Sequence, residues 1–209
     1  MLGRANIVLA GGTESMSRVP YFAEGARWGA RMGHVDLVDG MYRDGFNDPL
    51  SGLVMGETAE KLASQYEISR DEQDEYALRS QQRAAAATAA GKFDDEIIPL
   101  KLNSSRRGSS PTVREGSTLF ATDEHVRADT TIESLRKLAP VFSKDGGVTA
   151  GNSSGITDGA AAVVVMSESA LKESNVEPLA RIVDYEIVGV APEIMGIGPV
   201  PATRAILER

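Results

Sequence analysis

An α/β fold interrupted by a long region of different character is predicted by three features of this 209-residue sequence. Two short apolar runs, Asn6-Ile-Val-Leu-Ala10 and Ala160-Ala-Ala-Val-Val-Val-Met166, are bounded by Gly11-Gly12 in the first case and by Gly159 and Ser167 in the second. Runs of this length and composition read as strands buried in a sheet covered on both faces. Between them the pattern becomes helical, and beyond Met166 helix and strand signals alternate again. Two strands alone do not make a stable sheet, so the pair needs further neighbours.

Taken in order, residues 18–54 are rich in Gly, Arg, Met and Asp with little periodicity, and are expected to form loops with short elements. From Met55, the positions Met55, Ala59, Leu62, Ala63 and Tyr66 follow the spacing of one helical face, which predicts core packing for Met55. Ser69-Arg-Asp-Glu72 predicts a capping box, in which hydroxyl and carboxylate each satisfy an exposed backbone N–H. The helix it opens is expected to run to about Ala90 and to close at Gly91 in the C′ position, roughly 30 Å away. Its alanine-rich end, from Ala84 to Ala90, permits close packing. A strand is expected over 96–101 and a surface turn or hairpin over 103–116. Residues 167–174 fit a short helix, 180–190 a strand, and Pro201 the first turn of a last helix. Both ends read as cut, with a strand about five residues in and a last helix that has no stop signal.

Hydrophobic residues make up 42% and charged residues 25%, as in soluble globular domains. Aromatic residues are only 5%, so the core is expected to consist of Ala, Val, Ile and Leu. No apolar run approaches the roughly 20 residues of a membrane span, and the N-terminus does not read as a signal peptide. A cytoplasmic or organelle-matrix location is the expectation, and the triplets at Asn103 and Asn152 are then not glycosylation sites. The net charge of −8 argues against nucleic acid as a partner, and an anionic ligand requires a local basic patch. With no cysteine there is no disulfide, thiolate metal site or thiol nucleophile, and His34 and His125 are too few to predict a metal site.

Three motifs invite functional readings. Gly151-Asn-Ser-Ser-Gly155 matches G-x-S-x-G, but a nucleophile elbow needs a strand before the serine and a histidine after it. Here an apolar strand follows and both histidines precede, so a tight turn that lets a ligand approach the backbone is the better reading. Gly11-Gly12-Thr-Glu-Ser15 follows a strand, yet lacks both the dinucleotide spacing and the P-loop lysine. Lys101, Arg106, Arg107 and Arg114 cluster in a polar stretch, with Arg127, Arg136 and Lys137 beyond; such a cluster is by default a solvated face.

Read in order, several stretches resemble the thiolase family of acyl-CoA acyltransferases. They are Ala10-Gly-Gly-Thr-Glu-Ser-Met-Ser17, Met55-Gly-Glu-Thr-Ala-Glu60 and Ile68-Ser-Arg-Asp-Glu-Gln-Asp74 with Ser80-Gln81. Gly91-Lys-Phe93, Glu96-Ile-Ile-Pro99, Val148-Thr-Ala-Gly-Asn-Ser-Ser-Gly155, Asp158-Gly-Ala-Ala-Ala162 and Met195-Gly-Ile-Gly-Pro199 follow. The resemblance implies a layered αβαβα fold of two similar halves with an inserted loop domain, here incomplete. On that template residues 1–17 and 156–177 belong to the N-terminal half, 18–155 are the coenzyme A-binding loop domain, and 178–209 open the C-terminal half.

The activity implied is transfer of an acyl group between an enzyme cysteine and coenzyme A, forming or cleaving a 3-ketoacyl-CoA. No permanently bound cofactor is implied, and the complete protein would be a homodimer or homotetramer. The family's catalytic Cys, Asn-Glu-Ala-Phe and Gly-His-Pro segments have no counterpart here, so no catalytic residue is assigned and the chain alone is expected to be inactive. The resemblance does place part of a coenzyme A site. Arg127 matches the position beside adenine and phosphates; Ser134, Leu135, Phe142, Ala150, Ser153 and Ser154 match positions along the nucleotide and pantetheine. Phe46 and Met55 line the same cleft, and Met195 matches a position near the acyl end. Val54 stands where many short-chain members have His, leaving acyl-chain preference open. The alternative reading is a non-catalytic thiolase-like binding or scaffold protein.

Overall fold

The computed structural model describes residues 3–101 and 119–209. The chain divides into two compact units, one made of Met1–Val54 with Ile156–Arg209, the other of Met55–Gly155.

In the first unit, β1 (Ile7–Ser15) and β4 (Asp158–Met166) form an antiparallel ribbon in which Ile7 faces Met166, Leu9 faces Val164 and Ser15 faces Asp158. β1 therefore continues through Gly11-Gly12, where the sequence predicted a stop. The reason is the partner strand: Gly11 and Gly12 sit opposite Ala162 and Ala161, and a Cβ on Gly11 would lie 2.7 Å from the Ala161 carbonyl oxygen. Backbone ladder bonds persist where side chains are absent. At one end of the ribbon the Ser17 hydroxyl and N–H donate to Asp158; at the other, the Ser167 N–H donates to the Asn6 carbonyl at 2.8 Å. The expectation of two buried strands is not met. Leu9 is 75% exposed, and Ile7, Val163 and Val164 are exposed as well; among the described residues no further strand joins this two-stranded ribbon.

Residues 18–54 do form loops with short elements. Tyr21–Phe22 (β2) pairs with Val38–Asp39 (β3), and helical turns occupy Met16–Arg18, Glu24–Trp28 and Tyr42–Phe46. The Arg43 guanidinium lies 3.8 Å from the Phe22 ring centroid and bonds Glu24 at 2.8 Å and Asp44 at 2.7 Å. After β4, Ser167 caps α4 (Glu168–Glu173) by accepting from the Ala170 N–H. The strand predicted over 180–190 does not form: the segment is irregular, with Ile182, Val183, Tyr185 and Ile187 exposed, since no described strand offers it a ladder. α5 (Pro199–Leu207) carries Pro201 in its first turn, as expected.

The second unit is built on α1 (Met55–Gln65) and α2 (Arg70–Ala89). The predicted capping box is present: the Glu72 N–H donates to the Ser69 hydroxyl, and the Ser69 N–H to the Glu72 carboxylate. At the other end, Gly91 adopts φ +67°, the Gly91 N–H donates to Thr88 and the Lys92 N–H to Ala87, which is the double bond pattern of a glycine-stopped helix. The predicted strand over 96–101 is reduced to one antiparallel bridge between Leu100 and Phe120. The hairpin predicted over 103–116, with Arg106, Arg107 and Arg114, lies outside the described residues. The predicted stripe on α1 is only partly the inward face: Leu62 and Ala63 are half-buried but Met55, Ala59 and Tyr66 are exposed, whereas Gly56, Thr58 and Glu60 point inward. The interior explains this. Apart from Leu135 and Val148, the buried side chains among the described residues are polar, namely Thr58, Asp74 and Thr149. No described helix is long and apolar enough to cross a membrane.

Candidate functional site

The residues predicted to meet coenzyme A fall in both units. Phe46 and Met195 belong to the first, where the Phe46 ring packs edge-on against Tyr42 at 5.7 Å and Met195 is exposed in the 192–197 turn. The remainder belong to the second, where three segments are gathered on α1 and α2.

The first segment is α3 (Ile132–Arg136), a single turn that forms because Thr131 and Ser134 cap one another: the Ser134 N–H donates to the Thr131 hydroxyl at 3.2 Å, and the Thr131 N–H to the Ser134 hydroxyl at 3.1 Å. Ser134 is thereby oriented and exposed, and Leu135 is buried beneath it. Glu133 holds its carboxyl below the ordinary value of 4.5, first through its own backbone N–H and then through the Thr131 hydroxyl, so this turn carries a negative charge beside Ser134.

The second segment is the 147–155 loop, bearing Ala150, Ser153 and Ser154, all exposed. It is held from below by acids on the helices. The Glu60 carboxylate accepts from the Gly147 N–H at 3.0 Å and the Val148 N–H at 2.8 Å. Asp74 on α2 is fully buried, at 0% exposure; its Oδ2 accepts from Arg70 Nε at 2.7 Å and its Oδ1 from Asn152 Nδ2 at 3.0 Å. Asn152 also donates to the Gly147 carbonyl and accepts from the Thr149 N–H. The loop meets α3 directly, since a Cβ on Gly151 would fall 2.6 Å from Leu135 Cδ2. The sequence expectation of a glycine-flanked turn is met, and the irregular 151–157 stretch leads into β4 with no nucleophile elbow.

The third segment, 125–130, carries Arg127. Its backbone N–H donates to the Gln81 side chain on α2 at 2.8 Å, and its carbonyl accepts from both the backbone and hydroxyl of Thr130. The Arg127 side chain is exposed and has no ion pair among the described residues, which leaves a cation available to an anion. The His125 ring occupies the space a Cβ on Gly155 would need, bringing this segment against the end of the loop. Phe142 lies over Gly56, next to Met55, and the Val141 N–H donates to the Val148 carbonyl at 3.0 Å. Leu135 thus lies over Gly151 and Phe142 over the start of α1, while Ser134 and Ala150 are exposed on the adjoining segments. Two cavities lie elsewhere. One of about 640 Å³ is lined by Phe22, Glu24, Arg27 and Arg43, and one of about 90 Å³ by Thr88, Phe93, Ile97 and Asp123. Neither includes a predicted ligand residue, because the predicted site is a surface track and not an enclosed hole.

The residues that sequence reasoning missed are those that hold this track: Glu60, Arg70, Asp74, Gln81 and Asn152. The one signal in the sequence was the i, i+4 spacing of Arg70 and Asp74, which marks an ion pair on a helix but not its burial.

The Thiolase, N-terminal domain, family model matches residues 1–169. The chain belongs to the thiolase family. Among curated relatives, Beta-ketothiolase BktB of Cupriavidus necator is 50% identical over 210 residues, a match covering 100% of this chain and 51% of that protein. The mitochondrial 3-ketoacyl-CoA thiolase of Homo sapiens is 48% identical over 206 residues, covering 98% and 49%. The chain therefore spans about half the length of the curated thiolases it matches. Among solved structures, the Bacillus anthracis acetyl-CoA acetyltransferase superposes with a TM-score of 0.87 at 48% identity, over 98% of this chain and 49% of that one. Human mitochondrial 3-ketoacyl-CoA thiolase in complex with CoA superposes with a TM-score of 0.86 at 47% identity, over 99% and 49%. The thiolase fold is thus shared throughout the length compared.

Proposed function

We propose that this chain supplies the coenzyme A-facing part of a thiolase that transfers an acyl group between a cysteine and coenzyme A, forming or cleaving a 3-ketoacyl-CoA. The observation that supports it most is the 47% identical human thiolase solved with CoA, which this chain matches over 99% of its residues. The chemistry of the surface is in keeping. Arg127 offers a cation and a flat guanidinium to phosphate and adenine, against a chain whose net charge of −8 would otherwise repel an anion. Ala150, Ser153 and Ser154 are small enough for a thin amide-bearing arm to lie on the backbone, with Phe142 as an apolar neighbour. We assign Arg127, Ser134, Leu135, Phe142, Ala150, Ser153, Ser154 and Met55 of the second unit to this role; Phe46 and Met195, which the family resemblance also implicates, belong to the first unit. The loop-domain bounds 18–155, and a homodimer or homotetramer for the whole enzyme, belong to the same proposal, as does a compartment of cytoplasm or organelle matrix.

The test is titration with coenzyme A at two salt concentrations. Arg127→Ala is expected to weaken binding about tenfold at low salt, through one lost charge-assisted contact, and less at high salt. Ser154→Leu is expected to weaken it equally at both, by obstruction. Neutralising Arg106 and Arg107 is the control, and a loss as large as that of Arg127→Ala would refute the assignment. The second reading is a non-catalytic thiolase-like binding or scaffold protein. On both readings the 209 residues alone do not turn over acetoacetyl-CoA, and turnover above a heat-killed control would count against both.

A further inference from the structure

We propose that Arg70, Asp74 and Asn152 act as a positioning relay that couples α3 to the 147–155 loop, so that the two segments predicted to hold coenzyme A keep one relative placement. The ligand side of this inference rests on the function proposed above; the relay itself rests on geometry alone. Arg70 Nη2 donates to the Leu135 carbonyl at 2.7 Å and the Leu138 carbonyl at 3.1 Å, which places a cation on one carbonyl in the last turn of α3 and one just beyond it. Its Nε bonds Asp74 Oδ2, and the other oxygen of that buried carboxylate takes the Asn152 amide. Asn152 in turn holds the Gly147 carbonyl at 2.9 Å and the Thr149 N–H at 2.8 Å.

Each link has a single workable orientation. Rotating the Asn152 amide by half a turn would set its oxygen against the Asp74 carboxylate and its NH2 against the Thr149 N–H, both repulsive. Asp74 is wholly excluded from solvent, so losing either partner leaves a buried oxygen unpaired. Arg70 faces two carbonyls and one carboxylate with a rigid fork, which a lysine cannot reproduce. A shift at α3 is therefore transmitted to the loop, and the reverse.

The experiment is a double-mutant cycle on the full chain, with Arg70→Met, Asn152→Ala and the pair, read by coenzyme A affinity and by backbone amide NMR without ligand. Each single variant is expected to weaken coenzyme A about tenfold, and the pair by no more than about tenfold, because the second change breaks a relay already broken. Additive losses, about a hundredfold for the pair, would overturn the relay. In the ligand-free spectra, Arg70→Met is expected to shift the amide signals of Gly147 and Thr149, which Arg70 does not bond; signals left in place would overturn it independently. If the wild-type chain binds no coenzyme A, the proposed function fails, and the ligand-free spectra still decide the relay. Where Arg70→Met loses the helical circular dichroism of the wild type, Arg70→Lys takes its place. It is expected to shift the same signals less, with affinity about threefold weaker; unchanged signals there likewise overturn the relay.

Discussion

Removing the Glu60 carboxylate is expected to release the 147–155 loop from α1, at a cost set by two hydrogen bonds. The carboxylate accepts the Gly147 and Val148 N–H groups at 3.0 and 2.8 Å, in a half-buried setting. Hydrogen bonds to charged groups contribute about 1.5–3 kcal/mol each when buried, so partial exposure places each of these near about 1–2 kcal/mol. Glu60→Ala loses both, leaves two N–H groups facing an apolar methyl, and regains a few tenths of a kcal/mol in helix propensity. The net loss is about 2–4 kcal/mol. Glu60→Gln keeps one acceptor oxygen but points an NH2 at the other N–H, for a loss of about 1–2 kcal/mol. Urea denaturation followed by far-UV circular dichroism gives the two values, and hydrogen exchange at Gly147 and Val148 locates them. An alanine variant within about 0.5 kcal/mol of wild type, or a glutamine variant as damaging as alanine, would refute the clamp.

Gly56→Ala is expected to lower the melting temperature although alanine is the better helix former, because its methyl must displace the Phe142 ring; an unchanged or raised value would contradict the contact. The Glu72 carboxyl sits below its ordinary value of 4.5, first through the Ser69 hydroxyl and then the Ser69 N–H. A lowered folded-state value stabilises the fold above the unfolded value, and that contribution is lost as pH falls through the folded one. Ser69→Ala should therefore destabilise α2 at neutral pH and differ less from wild type under acid conditions, and an equal difference at both pH values would refute the capping account. The apolar face on which Leu9 lies opposite Val164 is expected to drive self-association, so replacing both with serine should shift light scattering toward the monomer; no change would remove the ribbon as the cause.

Much of the chain was legible locally. The Ser69–Glu72 capping box and the Gly91 stop involve groups within a turn of one another, so short-range chemistry decides them. The thiolase resemblance was legible for a related reason, as its motifs are short and contiguous. What the sequence did not disclose depends on partners distant along the chain. Two apolar runs announced strands, but whether they are buried depends on layers that periodicity cannot supply, and the ribbon is exposed. Residues 96–101 and 180–190 have strand composition, yet among the described residues the first finds only the Leu100–Phe120 bridge and the second no ladder.

The face of α1 was partly misread because two of its inward residues, Gly56 and Glu60, are neither large nor apolar. Only the folded arrangement shows that a glycine makes room for Phe142 and that a carboxylate takes two backbone N–H groups 87 and 88 positions away. Helix limits and the family's motifs were thus written in adjacent residues. The polar interior at Asp74 was settled by tertiary structure alone, because a buried charge is tolerable only where Arg70 and Asn152 arrive together.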